Sequence, residues 1–257
     1  MSTTLLLGSL VVVFVAGAVN GVAGFGFALL ATATLATVVD PASAVVFVVL
    51  PILAVNLTLV AELDRTTVRR CARRFWPLVG GGLVGVVVGM LVIGAMPAAS
   101  LQVGLGLLTL AVVASTQSLV AVPGLEWIRE GCVVEGTGPM AGLGLVSGVV
   151  FGATNVGVQF VAYLRSLELT HKLFVGVVAA VFLGLNGIRV ALAGLLGLYP
   201  DQWFLALSMV AVVPAVVGAR LGARVRPTLT DRTREVLVLG LLAAVGLWLT
   251  IGGLTLV

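Results

Sequence analysis

The chain has 257 residues, 60% of them hydrophobic and only 9% charged, with a mean hydropathy of +1.25. That leaves too little polar surface to cover a soluble globule. The net charge of +4 comes from arginines placed beside apolar runs, so it speaks of membrane orientation and argues against a nucleic-acid partner.

Eight apolar segments follow in chain order: 5–36, 43–61, 76–96, 101–122, 140–164, 173–196, 203–219 and 236–257. Each is near or above the ~20 residues that cross a bilayer as a helix. The expected fold is an all-α polytopic membrane protein. The first segment lacks the basic start and cleavage site of a secretory signal, and is read as part of the mature fold.

The first segment carries Asn20-Gly-Val-Ala-Gly-Phe-Gly26 at its centre, three glycines and an asparagine where they weaken a helix most. As one helix its 32 residues would span about 48 Å, too long for a ~30 Å hydrocarbon core and too short for two crossings. Two half-helices meeting at a glycine turn near the midplane fit that length, as a broken or re-entrant hairpin.

The fifth segment repeats the pattern. "GAVNGVAGFG" from Gly17 falls on "GVVFGATNVG" from Gly148, so Gly17, Gly21 and Gly26 match Gly148, Gly152 and Gly157, and Gly24 faces Asn155. Asn56 in the second segment meets Asn186 in the sixth, and the pair Gly85 and Gly89 meets Gly218 and Gly222. The chain reads as two homologous halves, 1–122 and 140–257, joined by a loop at 123–139.

Arg65, Arg69, Arg70, Arg73 and Arg74 lie between segments two and three; Arg220, Arg224, Arg226, Arg232 and Arg234 lie between seven and eight. Eight full crossings would put the clusters on opposite sides, against the excess of Lys and Arg in cytoplasmic loops. If segments one and five turn back, the halves are inverted repeats. Both clusters, with Arg165 and Lys172, then face the cytoplasm, and Asp40, Asp201 and both termini face outside. Glu126, Glu130 and Glu135 on the expected inner side count against this arrangement.

Helix N-termini facing each other inside the membrane offer unpaired N–H groups and partial positive charge to an anion. No Asp or Glu occupies the middle of any apolar segment, which disfavours a cation site. Arg189, three residues after Asn186, is the basic residue well inside an apolar stretch, either a fixed charge for an oxyanion or a snorkelling side chain. The candidate substrate-binding set is Asn20, Gly21, Gly24, Phe25, Gly26 and Asn56 in the first half, with Gly152, Thr154, Asn155, Gly157, Gln159, Asn186 and Arg189 in the second. Asn56 and Asn186 also fit interhelical hydrogen bonding, Thr154 and Gln159 fit satisfaction of the broken backbone, and Gly85, Gly89, Gly218 and Gly222 fit helix packing. Pro51 and Pro214 read as kinks. Cys71 and Cys132 have no metal-ligand or disulfide spacing, and His171 has no ligand-spaced partner.

The duplicated stretches "GAVNGVAGFGFALLATATL" and "SGVVFGATNVGVQFVAYL" resemble those of the sulfite exporter TauE/SafE family of membrane permeases. The resemblance covers nearly the whole chain in architecture and these two stretches in motif. It implies movement of sulfite or organosulfonates across the cytoplasmic membrane, and it puts the family's glycine-rich tips on Gly21, Gly24 and Gly26 and on Gly152 and Gly157. The sequence departs from the family at Ala153-Thr154-Asn155, where glycine often continues, and in lacking a proline after each tip.

The expected function is secondary transport of a small anion by alternating access, with no enzyme activity, cofactor or metal. Its expected partners are the anion, membrane lipid and possible second copies in a homodimer. The alternatives are a passive anion channel and an intramembrane enzyme of the lipid-phosphate type. The enzyme needs an acid or base beside a nucleophile, and neither glycine stretch has one nearby.

Overall fold

The computed structural model describes residues 3–24, 26–61, 64–93, 96–116, 136–165 and 171–254. Phe25, Glu126, Glu130, Cys132 and Glu135 lie outside the described residues, as do the side chains of Arg65, Arg70, Cys71, Arg165, His171, Lys172, Arg232 and Arg234. Every regular element among the described residues is helical: α1 Thr3–Ala23, α2 Phe27–Leu35, α3 Pro41–Val60, α4 Arg65–Ile93, α5 Ala98–Thr116, α6 Thr137–Thr154, α7 Val158–Arg165, α8 His171–Leu195, α9 Gln202–Val225, a 3-10 turn Arg226–Thr228 and α10 Asp231–Leu254. Six of them, α1, α3, α4, α6, α8 and α9, are long and apolar enough to cross a membrane, and shorter apolar helices cover 99–111 and 239–254. The protein is a multi-pass membrane protein.

Two of the eight apolar segments are broken, the first into α1 and α2, the fifth into α6 and α7. The arms are unequal, and the first of each pair is longer than a half-helix. α1 has 21 residues and α2 nine, about 31 and 13 Å; α6 has 18 and α7 eight. The reason lies in which glycines break the helix. Gly17 and Gly21 stay helical and only Gly24 and Gly26 leave it, so the turn comes late and the first arm keeps a spanning length.

The earlier glycines serve close packing. A Cβ on Gly17 or Gly21 would strike the backbone of α9 at Ala215 or Ala219, and a Cβ on Gly218 or Gly222 would strike α1 at Phe14 or Ala18. The second half repeats this contact. Gly85 and Gly89 press on the carbonyls of Leu145 and Val149, while Gly148 and Gly152 press on those of Gly82 and Val86. Each broken helix therefore packs on the third long helix of the other half, with dispersion contacts between backbones as the driving term. Residue numbers rise together along both pairs, so α1 runs parallel to α9 and α6 parallel to α4.

α3 and α8 fill the centre between these pairs. α3 runs alongside α9 in the same direction. Phe47 meets Phe204 edge-on with ring centroids 5.4 Å apart and its carbonyl accepts from Ser208 Oγ at 2.7 Å, while Leu57 to Ala61 lie beside Ala219 to Arg226. α5 and α10 pair antiparallel, with Gly106 against Thr250 and Gly253 against Val103. Both α3 and α9 start at an aspartate cap: Asp40 accepts from Ser43 N at 3.0 Å and Asp201 from Phe204 N at 2.6 Å, each satisfying an N–H that helix geometry leaves free. The outward faces are apolar, with Val11, Val15, Leu91, Val213 and Ile251 exposed. Such surface suits acyl chains, and the exposed Trp76 and Trp203, near the starts of the apolar spans of α4 and α9, suit the interfacial zone.

Candidate anion-binding site

The two breaks use the same backbone device. Gly24 has φ 84° and Asn155 has φ 62°, the left-handed conformation in which an L side chain is strained unless it is short and polar. Each closes the helix before it: Gly24 N donates to Asn20 O at 2.7 Å and Asn155 N to Phe151 O at 2.9 Å. Gly26, with φ 98°, then opens α2 as its N-cap.

Around the breaks, side chains replace the missing helical bonds. Asn20 Oδ1 accepts from Phe27 N at 3.3 Å. Thr154 Oγ1 donates to Val150 O at 2.6 Å and accepts from Val156 N at 3.1 Å. Asn155 Nδ2 donates to Thr32 Oγ1 at 2.6 Å and to Val45 O at 3.0 Å, which ties the second break to α2 and α3 of the first half. Arg226 donates through Nε to Gly21 O at 2.8 Å, and its Nη2 reaches the same carbonyl. A cation thus satisfies a carbonyl in the last turn of α1.

Between the breaks lies a cavity of about 50 Å³. That is room for a few waters and far less than the ~300 Å³ of a site holding an organic ligand. Its wall takes Asn20, Gly24, Gly26 and Asn56 from the first half and Asn155, Gly157 and Asn186 from the second. No Asp or Glu lines it. Asn20 Nδ2, Asn56 Nδ2 and Asn155 Oδ1 are buried with no hydrogen-bond partner, so two amide donors and one acceptor stand unused at a site where each such atom costs about 1–3 kcal/mol.

The other candidates fall elsewhere. Gly21 and Gly152 belong to the helix–helix contacts and not to the cavity wall, Thr154 caps its own broken helix, and Gln159 is half-buried in α7 outside the lining. Arg189 sits behind the wall. It is 0% exposed, which excludes snorkelling. Its Nη1 donates to Asn186 Oδ1 at 3.1 Å, and its Cζ lies 4.8 Å from the Phe151 ring centroid, a cation–π distance. Asn186 Nδ2 donates to Phe182 O at 2.9 Å, so Arg189 and the α8 backbone together fix the orientation of that amide. The apolar part of the wall, Phe27, Ile52, Phe151 and Phe182 among it, was not among the candidates. Its one sequence signal is the repeat itself, which aligns Asn20 with Phe151 and Asn56 with Asn186.

A second, open cleft of about 610 Å³ lies at the ends of α3 and α9, lined by Thr58, Ala61, Arg220, Arg224 and Arg226. Basic side chains thus surround the approach to the C-terminal end of α1.

Broken helices packed through glycine, a small cavity between the breaks without carboxylates, and six span-length apolar helices define a polytopic membrane transport protein. The chain belongs to the sulfite exporter TauE/SafE family, whose sequence pattern it matches over residues 9–249. That family consists of membrane transporters, not enzymes, and membership implies membrane transport of sulfur anions. Neither the curated proteins nor the solved structures contain a match to the chain.

Proposed function

We propose that the protein is a secondary transporter for sulfite or an organosulfonate, working by alternating access to one central site. The observation that carries this reading is the wall of the central cavity. Positions equivalent in the two halves meet there in pairs: Gly24 with Asn155, Gly26 with Gly157 and Asn56 with Asn186.

Helix direction supports inverted repeats over 1–122 and 140–257, linked by 123–139. α3 runs with α1 and α9; α4 begins at Arg65, five residues after α3 ends at Val60, too few to carry the chain back along a span, so α4, which runs with α6, points the other way. Equivalent helices therefore point in opposite senses, α1 against α6 and α4 against α9. In such a pair, two arrangements related by the pseudo-two-fold axis have similar energies, which is the physical basis for exposing one site to either side. Substrate contacts come from Asn20, Asn56, Asn155 and Asn186 with the free N–H groups at the start of α2, and Arg189 supplies the positive field from behind. Gly21 and Gly152 let the broken helices pack closely, and Thr154 satisfies its own broken backbone. The basic cleft at Arg220, Arg224 and Arg226 raises local anion concentration on its side.

Purified protein in liposomes, screened for uptake of sulfite, sulfonates, sulfate and carboxylates, tests the reading. Saturable flux of a sulfur anion with counter-exchange is expected. Flux that never saturates and shows no exchange makes the protein a channel, and uptake of carboxylates alone overturns the substrate class.

A further inference from the structure

The central cavity and the basic cleft are neighbours along the chain at two places. On α3, Asn56 lines the cavity and Leu57 the cleft. On α1, Asn20 lines the cavity, and the carbonyl of the next residue, Gly21, accepts from Arg226, which lines the cleft. Arg226 is thus the side chain through which the cleft touches the first break. It is partly buried, whereas Arg220 and Arg224 are exposed, four residues apart on one face of α9.

The two breaks are not finished in the same way. In the second half Thr154 closes its own broken helix, donating to Val150 O and accepting from Val156 N. In the first half the Gly21 carbonyl takes its partner from the turn after α9. The repeat has no counterpart to this. The alignment of Gly85 and Gly89 with Gly218 and Gly222 sets Val87, Leu91 and Ile93 at the positions of Arg220, Arg224 and Arg226. Glycine-mediated packing of α4 on α6 is achieved without those cations, so packing does not account for the three arginines.

The bond to Gly21 is of a kind that an oxyanion can displace. Arg226 directs Nε and Nη2 at one neutral carbonyl oxygen, while a sulfite or sulfonate offers charged oxygens to the same edge of the fork. Charge-assisted bidentate bonds of that type are roughly twice as strong as neutral ones. Arg220 and Arg224 add positive charge in the same cleft, which draws an anion to that edge.

We propose that the cleft is an entry subsite for a small sulfur oxyanion and that Arg226 is its latch. An anion bound in the cleft takes the guanidinium from Gly21 O and loosens the last turn of α1 beside Asn20, so that occupancy of the cleft controls access to the cavity. The control acts from one side of the membrane only, because the matching positions of the other glycine-packed pair are apolar. The choice of a sulfur oxyanion rests on the transporter reading. Arg226 is here a positioning residue for Asn20.

The test uses the purified full chain in phosphatidylcholine nanodiscs, with sodium methanesulfonate as probe against sodium gluconate at equal ionic strength. It follows hydrogen exchange of the backbone amides at the end of α1, Asn20 to Gly24. Methanesulfonate is expected to speed exchange there about threefold or more in the wild type and to leave α5 unchanged. Arg220→Gln is expected to need about three- to tenfold more methanesulfonate for half the effect. Arg226→Gln is expected to exchange fast with or without the anion, and Asn56→Ala, whose side chain belongs to the cavity, to respond as the wild type does. An Arg226 that only caps α1 would give fast exchange in Arg226→Gln and no response to methanesulfonate in the wild type. That result, an unshifted midpoint in Arg220→Gln, or loss of the response in Asn56→Ala each overturns the latch. Acceleration produced by added phosphatidylglycerol and not by methanesulfonate overturns it in favour of a lipid headgroup. If sulfite flux in liposomes persists when the latch fails, the transporter reading stands without it; acceleration by methanesulfonate with no flux of any sulfur anion keeps the latch and removes that reading.

Discussion

Gly24 and Asn155, 131 residues apart in the sequence, adopt the same left-handed backbone, φ 84° and 62°, and both line one cavity. Each also touches the start of the opposite central helix, Gly24 against Val175 of α8 and Asn155 against Val45 of α3. The contacts are equivalent, since Val45 and Val175 are offset by 130 residues. A conformational constraint in the sequence is thus converted into a shared wall between two halves.

That constraint makes Gly24 intolerant of side chains. A Cβ there would lie 2.5 Å from Val175 Cγ2, and a non-glycine residue in this conformation costs roughly 1–2 kcal/mol before any clash. Gly24→Leu is expected to abolish liposome flux, while Gly104→Leu, where a Cβ meets nothing within 4 Å, is expected to keep most of it. Equal flux in the two variants would remove the first break from the mechanism.

The packing glycines are expected to act on stability. At Gly148 a Cβ would meet the Gly82 backbone, whereas at Gly142 it meets nothing. Gly148→Ala is expected to lower the unfolding temperature and the yield of folded protein, by an overpacking cost of about 1–3 kcal/mol. Gly142→Ala, in the same helix, is expected to be neutral or to stabilise by up to about 1 kcal/mol. Thermal unfolding of the two purified variants separates close approach from helix propensity.

The breaks were legible because glycine and asparagine have no other reason to recur, at one spacing, in two long apolar runs. The same argument gave the polar side of the cavity: Asn20, Asn56, Asn155 and Asn186 stand out in spans that otherwise need no amides. It failed where one residue type serves two purposes. Gly21 and Gly24 look alike in sequence, yet one lets α9 approach and the other turns the chain, so both were placed at the tip. Phe151, Phe182 and Thr32 are ordinary residues of membrane helices, and their place at the site depends on contacts across the halves, such as Asn155 to Thr32, that no local pattern encodes. The full burial of Arg189 was likewise beyond the sequence, since snorkelling depends on what surrounds the side chain.

Topology is testable through the same helix directions. The end of α3 and the end of α9 flank one cleft, so both are expected on one side of the membrane, and the arginines that follow them in the sequence are expected to make that side cytoplasmic. In a chain freed of Cys71 and Cys132, cysteines replacing the exposed Thr66 and Thr230 are expected to resist an impermeant thiol reagent added to intact cells. A cysteine replacing Gln202, at the opposite end of α9, is expected to react. Labelling of only one of the first two would break the inverted arrangement.

Arg189 decides whether the cavity selects by charge. Because the side chain is 0% exposed and bound to an amide in the cavity wall, replacing it acts on the site by two routes: loss of the positive field, and release of the Asn186 amide. Arg189→Gln removes the charge while keeping a donor near Asn186. Arg189→Lys keeps the charge but gives up the planar fork. If the field dominates, the glutamine variant is expected to weaken sulfite binding by roughly 10- to 100-fold, the range of a buried charge-assisted hydrogen bond, and lysine is expected to recover part of that loss. If amide orientation dominates, lysine is expected to be no better than glutamine. Titration of each purified variant with sulfite distinguishes these outcomes, and unchanged affinity in a folded Arg189→Gln protein would show that the anion is held by the amides and the α2 N–H groups alone.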